Sequence, residues 1–433
     1  MGLTRGRSVQ PIYYGWWVVL GALAATALFG GLYTWSFGLY FAPVETAFGW
    51  TRTEVSLGVS IALLAAGAAS PFVGRLTDRR GPRLVVLIGA LLGAGGMALL
   101  STASALWHWY LYSGVMGIAV AMAFFIGLQA LAASWFEQRR GKALGLLGLG
   151  VSLGGFALVP VVRLLIDTLG WEGSLQLSAG LVLALYLPLV FFVFRNGPAR
   201  QADGSHPDAP AAGAGGRAAE GVSLRAAMRT PIFWTLTLGI SLYFYAAFGL
   251  VVHSVPFFED EGFSASEAAG FLSAMAGVSI LSRIVLAATV DRARRFERVA
   301  MLLAVSGMIT LGLLLIGTSP GVIVVFVLFW SIADTGPALI EPLSLSRAFG
   351  AAHFGSILGA VSVVRTVAML ASAGVAGAIF DGTGSYTWAL VMFLGAYGGA
   401  LAFFLASLRL PRPIDLAAPR PALAGGSDRP GTA

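Results

Sequence analysis

Twelve stretches of this chain are apolar for long enough to cross a bilayer, and that decides what it can fold into. A hydrocarbon core takes roughly 20 apolar residues per helix. Runs of that kind lie at about 13–42, 53–76, 84–104, 106–134, 142–166, 174–195, 231–257, 265–290, 298–318, 320–346, 354–379 and 386–408. They are continuous and rich in Leu, Ala and Gly. A β-barrel would show short alternating segments instead, so the expectation is an all-α integral membrane protein with 12 transmembrane helices. Charged residues make up only 11% of the chain, against about 25% in soluble domains. A soluble fold and a disordered chain are both excluded on that ground. Several runs exceed one bilayer thickness, which implies tilt or protruding ends. Arg5 and Arg7 precede the first run, which reads as an uncleaved anchor.

The same residues rule out much chemistry. There is no cysteine, so disulfides, thiolate catalysis and Cys-based metal sites are excluded. His108, His206, His253 and His353 are scattered without ligand spacing, and neither a metal nor a cofactor is expected. The formal charge of +7 would suit nucleic acid, but the basic residues sit in short loops between apolar runs. The expected partners are the lipid bilayer and a small substrate, with no nucleic acid, and the chain is expected to act as a monomer and not as an enzyme. No Walker loop is present, so direct ATP coupling is not expected.

Orientation follows from the loops. Of 27 basic residues, 23 fall at the termini or in the loops on their side, and three (Arg163, Arg283, Arg365) fall inside runs. The opposite loops hold only Arg52. Basic loops stay inside, so both termini are expected in the cytoplasm and the protein in the cell (inner) membrane. The polar stretch at 196–230 reads as a flexible cytoplasmic linker between six-helix halves at 1–195 and 231–410. Residues 411–433, rich in Pro, Ala and Gly, read as a disordered cytoplasmic tail.

The halves repeat each other. Pro43 maps to Pro256 and Asp78-Arg79 to Asp291-Arg292 at an offset of 213, and Gly141, Gly145 and Asp167 map to Gly355, Gly359 and Asp381 at 214. Two pseudo-symmetric six-helix bundles joined by a linker point to a transporter with its site between the halves.

Residues 74–83, GRLTDRRGPR, lie between the second and third runs. They resemble the signature loop of the major facilitator superfamily, G-x-L-a-D-r-x-G-r-[RK], filled here by Gly74, Leu76, Asp78, Arg79, Gly81 and Arg83. The resemblance implies the major facilitator fold and a cytoplasmic gate in which Gly74, Asp78, Arg79, Gly81, Arg83, Asp291 and Arg292 take part. Ion pairs of Asp78 and the arginines would latch the inner ends of the halves. A finer resemblance, to the monocarboxylate-transporter and oxalate–formate-exchanger branch, rests on YYGWWVV (13–19), SWFEQRRGKALG (134–145), VPFFEDEGFSASEAAG (255–270), LSRIVLAATVDR (281–292), AHFGSILG (352–359) and FDGTGSY (380–386). In that branch a span 8 arginine binds the substrate carboxylate, and the position falls on Arg283. The exchangers' second cation, on span 11, falls on Arg365. Two departures concern proton coupling: the aspartate one turn before the span 8 arginine is Ser279, and the span 1 lysine is absent.

A charge at mid-bilayer costs roughly 2.5–3.5 kcal/mol on insertion scales. Arg283 and Arg365 lie ~12 Å and ~17 Å from the inner boundary at 1.5 Å per residue. Their repeat mates are Ser70 and Val151, so the charges are additions to the second half. Two roles fit: substrate binding, or an ion pair with Asp334 or Glu341 of the tenth run. Trp330, Asp334, Pro337 and Glu341 share one helical face. Asp334 can serve as proton-coupling group or fixed counter-ion, and Glu341 as gate or structural pair. Arg163 and Asp167 are spaced for an i,i+4 ion pair. Tyr33, Tyr243, Tyr245 and Gln129 are candidate substrate contacts, with helix packing the competing reading of each tyrosine. His253 reads as an outer-rim residue, and Trp107, Trp109, Trp171 and Trp388 as interface anchors. The expected function is secondary transport of small mono- or dicarboxylates by proton symport or anion exchange. The alternatives are a hydrophobic drug exporter or a transport-dead sensor. Drug–proton antiporters carry a Gly-Pro pair before a Gly-Gly in span 5, and Gly154-Gly155 has no such pair before it.

Overall fold

A computed structural model describes residues 13–136, 140–197, 221–289, 296–350 and 353–413. Twelve spans follow in order. The first is α1 (Tyr14–Phe48), then α2 (Arg52–Arg80), α3 (Pro82–Leu100) and α4 (Leu106–Ala133). A single helical stretch over 140–193 is broken only at Gly170, whose φ of 74° divides it into α5 (140–169) and α6 (171–193). Then come α7 (Pro231–Asp260), α8 (Ala265–Thr289) and α9 (Phe296–Ile316). α10 has two pieces, Pro320–Asp334 and Pro337–Phe349, and is followed by α11 (Phe354–Thr383) and α12 (Thr387–Arg409). The expected linker core, 198–220, and most of the expected tail, 414–433, lie outside the described residues.

Local chemistry sets the ends. α2 opens on a capping box, with Glu54 N–H donating to Thr51 Oγ1 at 3.2 Å and Thr51 N–H to Glu54 Oε2 at 2.8 Å. α8 opens on the same device, Ser264 with Glu267. Those two boxes are 213 residues apart, so the internal repeat extends to backbone hydrogen bonding. α1 runs past Pro43 to Phe48, six residues beyond its expected end. On the way it passes a π turn at Gly30–Trp35 and a 3₁₀ turn at Phe37–Tyr40, and Pro43 falls in the first turn of the α-helical piece Phe41–Phe48, where its missing N–H costs no ladder bond.

Close helix approach depends on a few glycines. A Cβ on Gly117 of α4 would lie 1.9 Å from the Ala62 carbonyl of α2, and one on Gly154 of α5 would lie 2.0 Å from the Ala27 carbonyl of α1. Neither backbone can retreat without parting two helices. Gly117→Val is therefore expected to cut the yield of monodisperse protein severalfold in size-exclusion chromatography. Gly145→Ala, which meets open space, should leave the yield unchanged. An equal yield for both would show that these contacts are slack.

Across the middle of the molecule α2 packs on α11 and α5 on α8. The hydrogen bonds there repeat with the chain. Ser60 Oγ of α2 donates to Leu370 O of α11 at 2.8 Å, and Ser273 Oγ of α8 donates to Phe156 O of α5 at 2.6 Å. Donors and acceptors are offset by 213 and 214 residues, a pseudo-two-fold pair. Two expected interface anchors are corrected. Trp107 and Trp388 are exposed, but Trp109 and Trp171 are buried. Trp109 Nε1 donates to the Val55 carbonyl at 3.1 Å, so its polar edge is satisfied inside the bundle rather than at a headgroup.

Candidate functional site

The break in α10 organises the site. Pro337 starts the second piece and has no N–H, so it cannot bond the Ala333 carbonyl four residues back. That carbonyl instead accepts the Gly336 N–H at 3.2 Å and the Tyr243 hydroxyl of α7. Asp334 and Glu341 lie on either side of the break, and each holds one of the half-buried membrane arginines. Arg283 of α8 donates from Nη2 to Asp334 Oδ2 at 2.8 Å. Arg365 of α11 donates from Nη1 to Glu341 Oε2. The choice of partner that the sequence left open is thus resolved, one carboxylate to each guanidinium.

Neither pair is saturated. Arg283 Nε, Arg365 Nε and Glu341 Oε1 are buried without a hydrogen-bond partner among the described residues. The Glu341 side chain is 5% exposed, the Arg283 side chain 15% and the Arg365 side chain 23%. The Arg365 guanidinium also lies over the Phe244 ring of α7, 4.8 Å from its centroid, a cation–π contact. A small cleft lined by Tyr243, Phe244, Gly336 and Glu341 reaches the second pair. Each ion pair is formally neutral and leaves guanidinium donors to spare, and a guanidinium so held can exchange an internal carboxylate for an external one.

The other candidates are placed as follows. Tyr243 stands beside Asp334 through its bond to Ala333, with Tyr397 packed edge-on at 5.1 Å. Tyr245 turns to α12, where its hydroxyl meets Met392 Sδ at 3.1 Å. Tyr33 is buried edge-on to Phe29 and Phe37, in the packing role. Gln129 of α4 is exposed. His253 is buried and not on a rim: Nδ1 meets the Tyr386 hydroxyl and Nε2 the Ala373 carbonyl, both at 2.9 Å. Arg163 and Asp167 form the expected i,i+4 pair.

In the 2–3 loop Gly81 takes a φ of 82° and abuts Asn196, while Gly74 meets open space. Among the described residues Arg83 makes no bond to the other half. Its Nε donates to Val190 O at 3.0 Å and its Nη2 to Phe191 O at 3.2 Å, so it braces α3 against the end of α6 within one half. Arg79 is exposed. The Asp78 side chain, Asp291 and Arg292 lie outside the described residues.

One cluster escaped the sequence reading. At the far end of the bundle, opposite the termini, Arg52 of α2 is 9% exposed. Its Nη2 donates to Asp260 Oδ1 of α7 at 2.9 Å, its Nη1 to the Tyr386 hydroxyl at 3.1 Å, and its Nε lies 3.3 Å from Glu45 of α1. The guanidinium covers the Phe380 ring at 4.0 Å. Asp381 of α11 accepts the backbone N–H of Arg52 at 3.2 Å and of Thr53 at 3.0 Å. The available signal was that Arg52 is the lone basic residue of the far-end loops.

Comparison with known proteins agrees with this architecture. The model of the Major Facilitator Superfamily matches residues 18–373. Monocarboxylate transporter 13 of Rattus norvegicus is 30% identical over 413 residues, 93% of each chain. Monocarboxylate transporter 11 of Homo sapiens is 32% identical over 315 residues, 71% of this chain and 62% of that one. Among solved structures, the crystal structure of nucleoside transporter NupG superposes with a TM-score of 0.72 at 12% identity, over 92% of this chain and 100% of that one, a likeness of fold.

Proposed function

The chain belongs to the major facilitator superfamily, and from that premise we propose that it carries small organic anions, mono- or dicarboxylates, across the cell membrane by alternating access. It is a membrane transporter and not an enzyme. The observation that supports this substrate class is the pair of arginines on α8 and α11, each held by its own α10 carboxylate and each with an unused Nε–H. An arriving carboxylate presents the chemistry of Asp334 and competes for the fork of Arg283. The displaced Asp334 then takes a proton, giving symport, or stays charged until a second anion replaces the first, giving exchange. The relatives' names, monocarboxylate transporters, lend the same substrate class support. Uptake of labelled lactate and oxalate into proteoliposomes tests the proposal. Efflux of hydrophobic drugs with no uptake of any small carboxylate would overturn it.

The proposal places both termini in the cytoplasm, on the strength of the 23-to-1 division of loop basic residues. The native chain has no cysteine, so single ones report cleanly. Ser319→Cys, between α9 and α10, is expected to react with an impermeant maleimide on intact cells, and Met228→Cys, just before α7, only after lysis. The reverse pattern would invert the topology.

A further inference from the structure

We infer that the Arg52 cluster is a one-sided lock that holds the two halves together at the far end, and that releasing it is the step that opens the transporter there. Its bonds divide by half. Glu45 and Arg52 belong to the first six spans, whereas Asp260, Tyr386 and Asp381 belong to the last six. Parting the halves at this end must break the two-pronged Arg52–Asp260 pair and the Tyr386 bond. It must also strip Asp381 from the start of α2.

That last contact is a helix cap supplied by the opposite half. The first N–H groups of a helix have no internal acceptor. Here Thr51 takes the N–H of Glu54, and Asp381 takes those of Arg52 and Thr53. A carboxylate at a helix N-terminus also meets the positive end of the dipole. In the parted state the Arg52 charge keeps its neighbour Glu45, so the lock can open without stranding a buried cation.

The internal repeat shows that this is not scaffold. The Ser60 and Ser273 bonds occur twice, as the pseudo-two-fold requires. Among the described residues the lock occurs once. At the repeat offset the mate of Arg52 is Ala265, and the mate of Asp260 is Ala47. Asp167, the mate of Asp381, spends its carboxylate on Arg163 of its own helix. Gly377, where a Cβ would come 3.0 Å from Thr53 Cα, lets α11 close on α2, and its mate is that same Arg163. Among the described residues the space and the cap are provided on the α2–α11 side alone, while on the α5 side Arg163 of the first half attracts Glu259 of the second without forming an ion pair with it. His253 joins this side to the interior, bridging Tyr386 to the α11 backbone at Ala373.

The lock holds for any substrate, so its test needs none. Spin labels on Ala47→Cys and Ser266→Cys, both exposed and in opposite halves, measure the far-end gap in lipid nanodiscs. The labelled parent should show one dominant short distance. Asp381→Ala, Gly377→Val and Arg52→Gln should each add a longer component and raise the open-to-closed ratio about tenfold. Asp167→Ala should leave the distribution unchanged. Asp381 is exposed, so its variant is expected to fold even where Arg52→Gln does not. Unchanged distances in folded Asp381→Ala and Gly377→Val would overturn the lock and leave apolar packing as what closes this end. A shift in Asp167→Ala equal to that in Asp381→Ala would overturn its one-sidedness.

Discussion

Arg283→Ala is expected to reduce carboxylate uptake at least 100-fold, with Arg283→Lys recovering little of it. A charge-assisted hydrogen bond contributes about 1.5–3 kcal/mol, and a fork that grips both oxygens of a carboxylate makes two. Lysine keeps the charge but loses the planar geometry. The structure adds a complication, because Arg283 also neutralises Asp334 at 2.8 Å. Removing one member of a buried pair costs about 3–5 kcal/mol, and this half-buried pair would lose a part of that, so Arg283→Ala alone confounds binding with folding. Arg283→Ala combined with Asp334→Asn removes both charges and should restore yield and thermal stability to near the parent while uptake stays lost. Uptake at the parent rate in that double variant would end the substrate-binding assignment. Lost yield in the double variant would make the pair a structural one.

The spans, the two bundles and both membrane arginines were legible because the bilayer punishes their alternatives. An apolar run of twenty residues has one folded outcome, and a charge inside one has to be accounted for. What sits at span ends was not legible, since a polar residue there costs little and is compatible with solvent, lipid or a partner. Arg52 looked like the exception to a topology rule, yet it is buried among residues from both halves. Trp109 and Trp171 looked like headgroup anchors and are packed inside. Arg83 fitted a family motif, and the motif could not say that its bonds among the described residues run to the end of α6 in its own half. Sequence spacing put Asp334 and Glu341 on one face and could not say which arginine each would meet. That depended on the break at Gly336–Pro337 and on how α8 and α11 flank it.

The choice between mono- and dicarboxylates turns on Arg365. If both arginines grip substrate, Arg365→Gln should weaken dicarboxylate binding about tenfold or more and shift monocarboxylate binding less than twofold. Glu341 has to be handled first, because it is almost fully buried and would be left charged and alone. The measurement therefore belongs in a Glu341→Gln background, where the amide keeps the shape and removes the charge. Glu341→Gln by itself frees the Arg365 fork, so it should tighten dicarboxylate binding. It should also flatten its pH dependence: in the parent, acid would protonate Glu341 and release the same fork, whereas the amide releases it at every pH. Below the pH at which the substrate itself is protonated the gain disappears. Adding Arg365→Gln to Glu341→Gln should then erase that gain and leave lactate binding where it was. Phe244 keeps the guanidinium of Arg365 in place at 4.8 Å when Glu341 no longer does, so Phe244→Leu in the same background should cost part of the gain. Titrations of lactate and oxalate at two pH values on these variants separate the outcomes. Equal weakening of both anions by Arg365→Gln, or of neither, would make Arg365 the structural partner of α10 and leave Arg283 as the single carboxylate clamp.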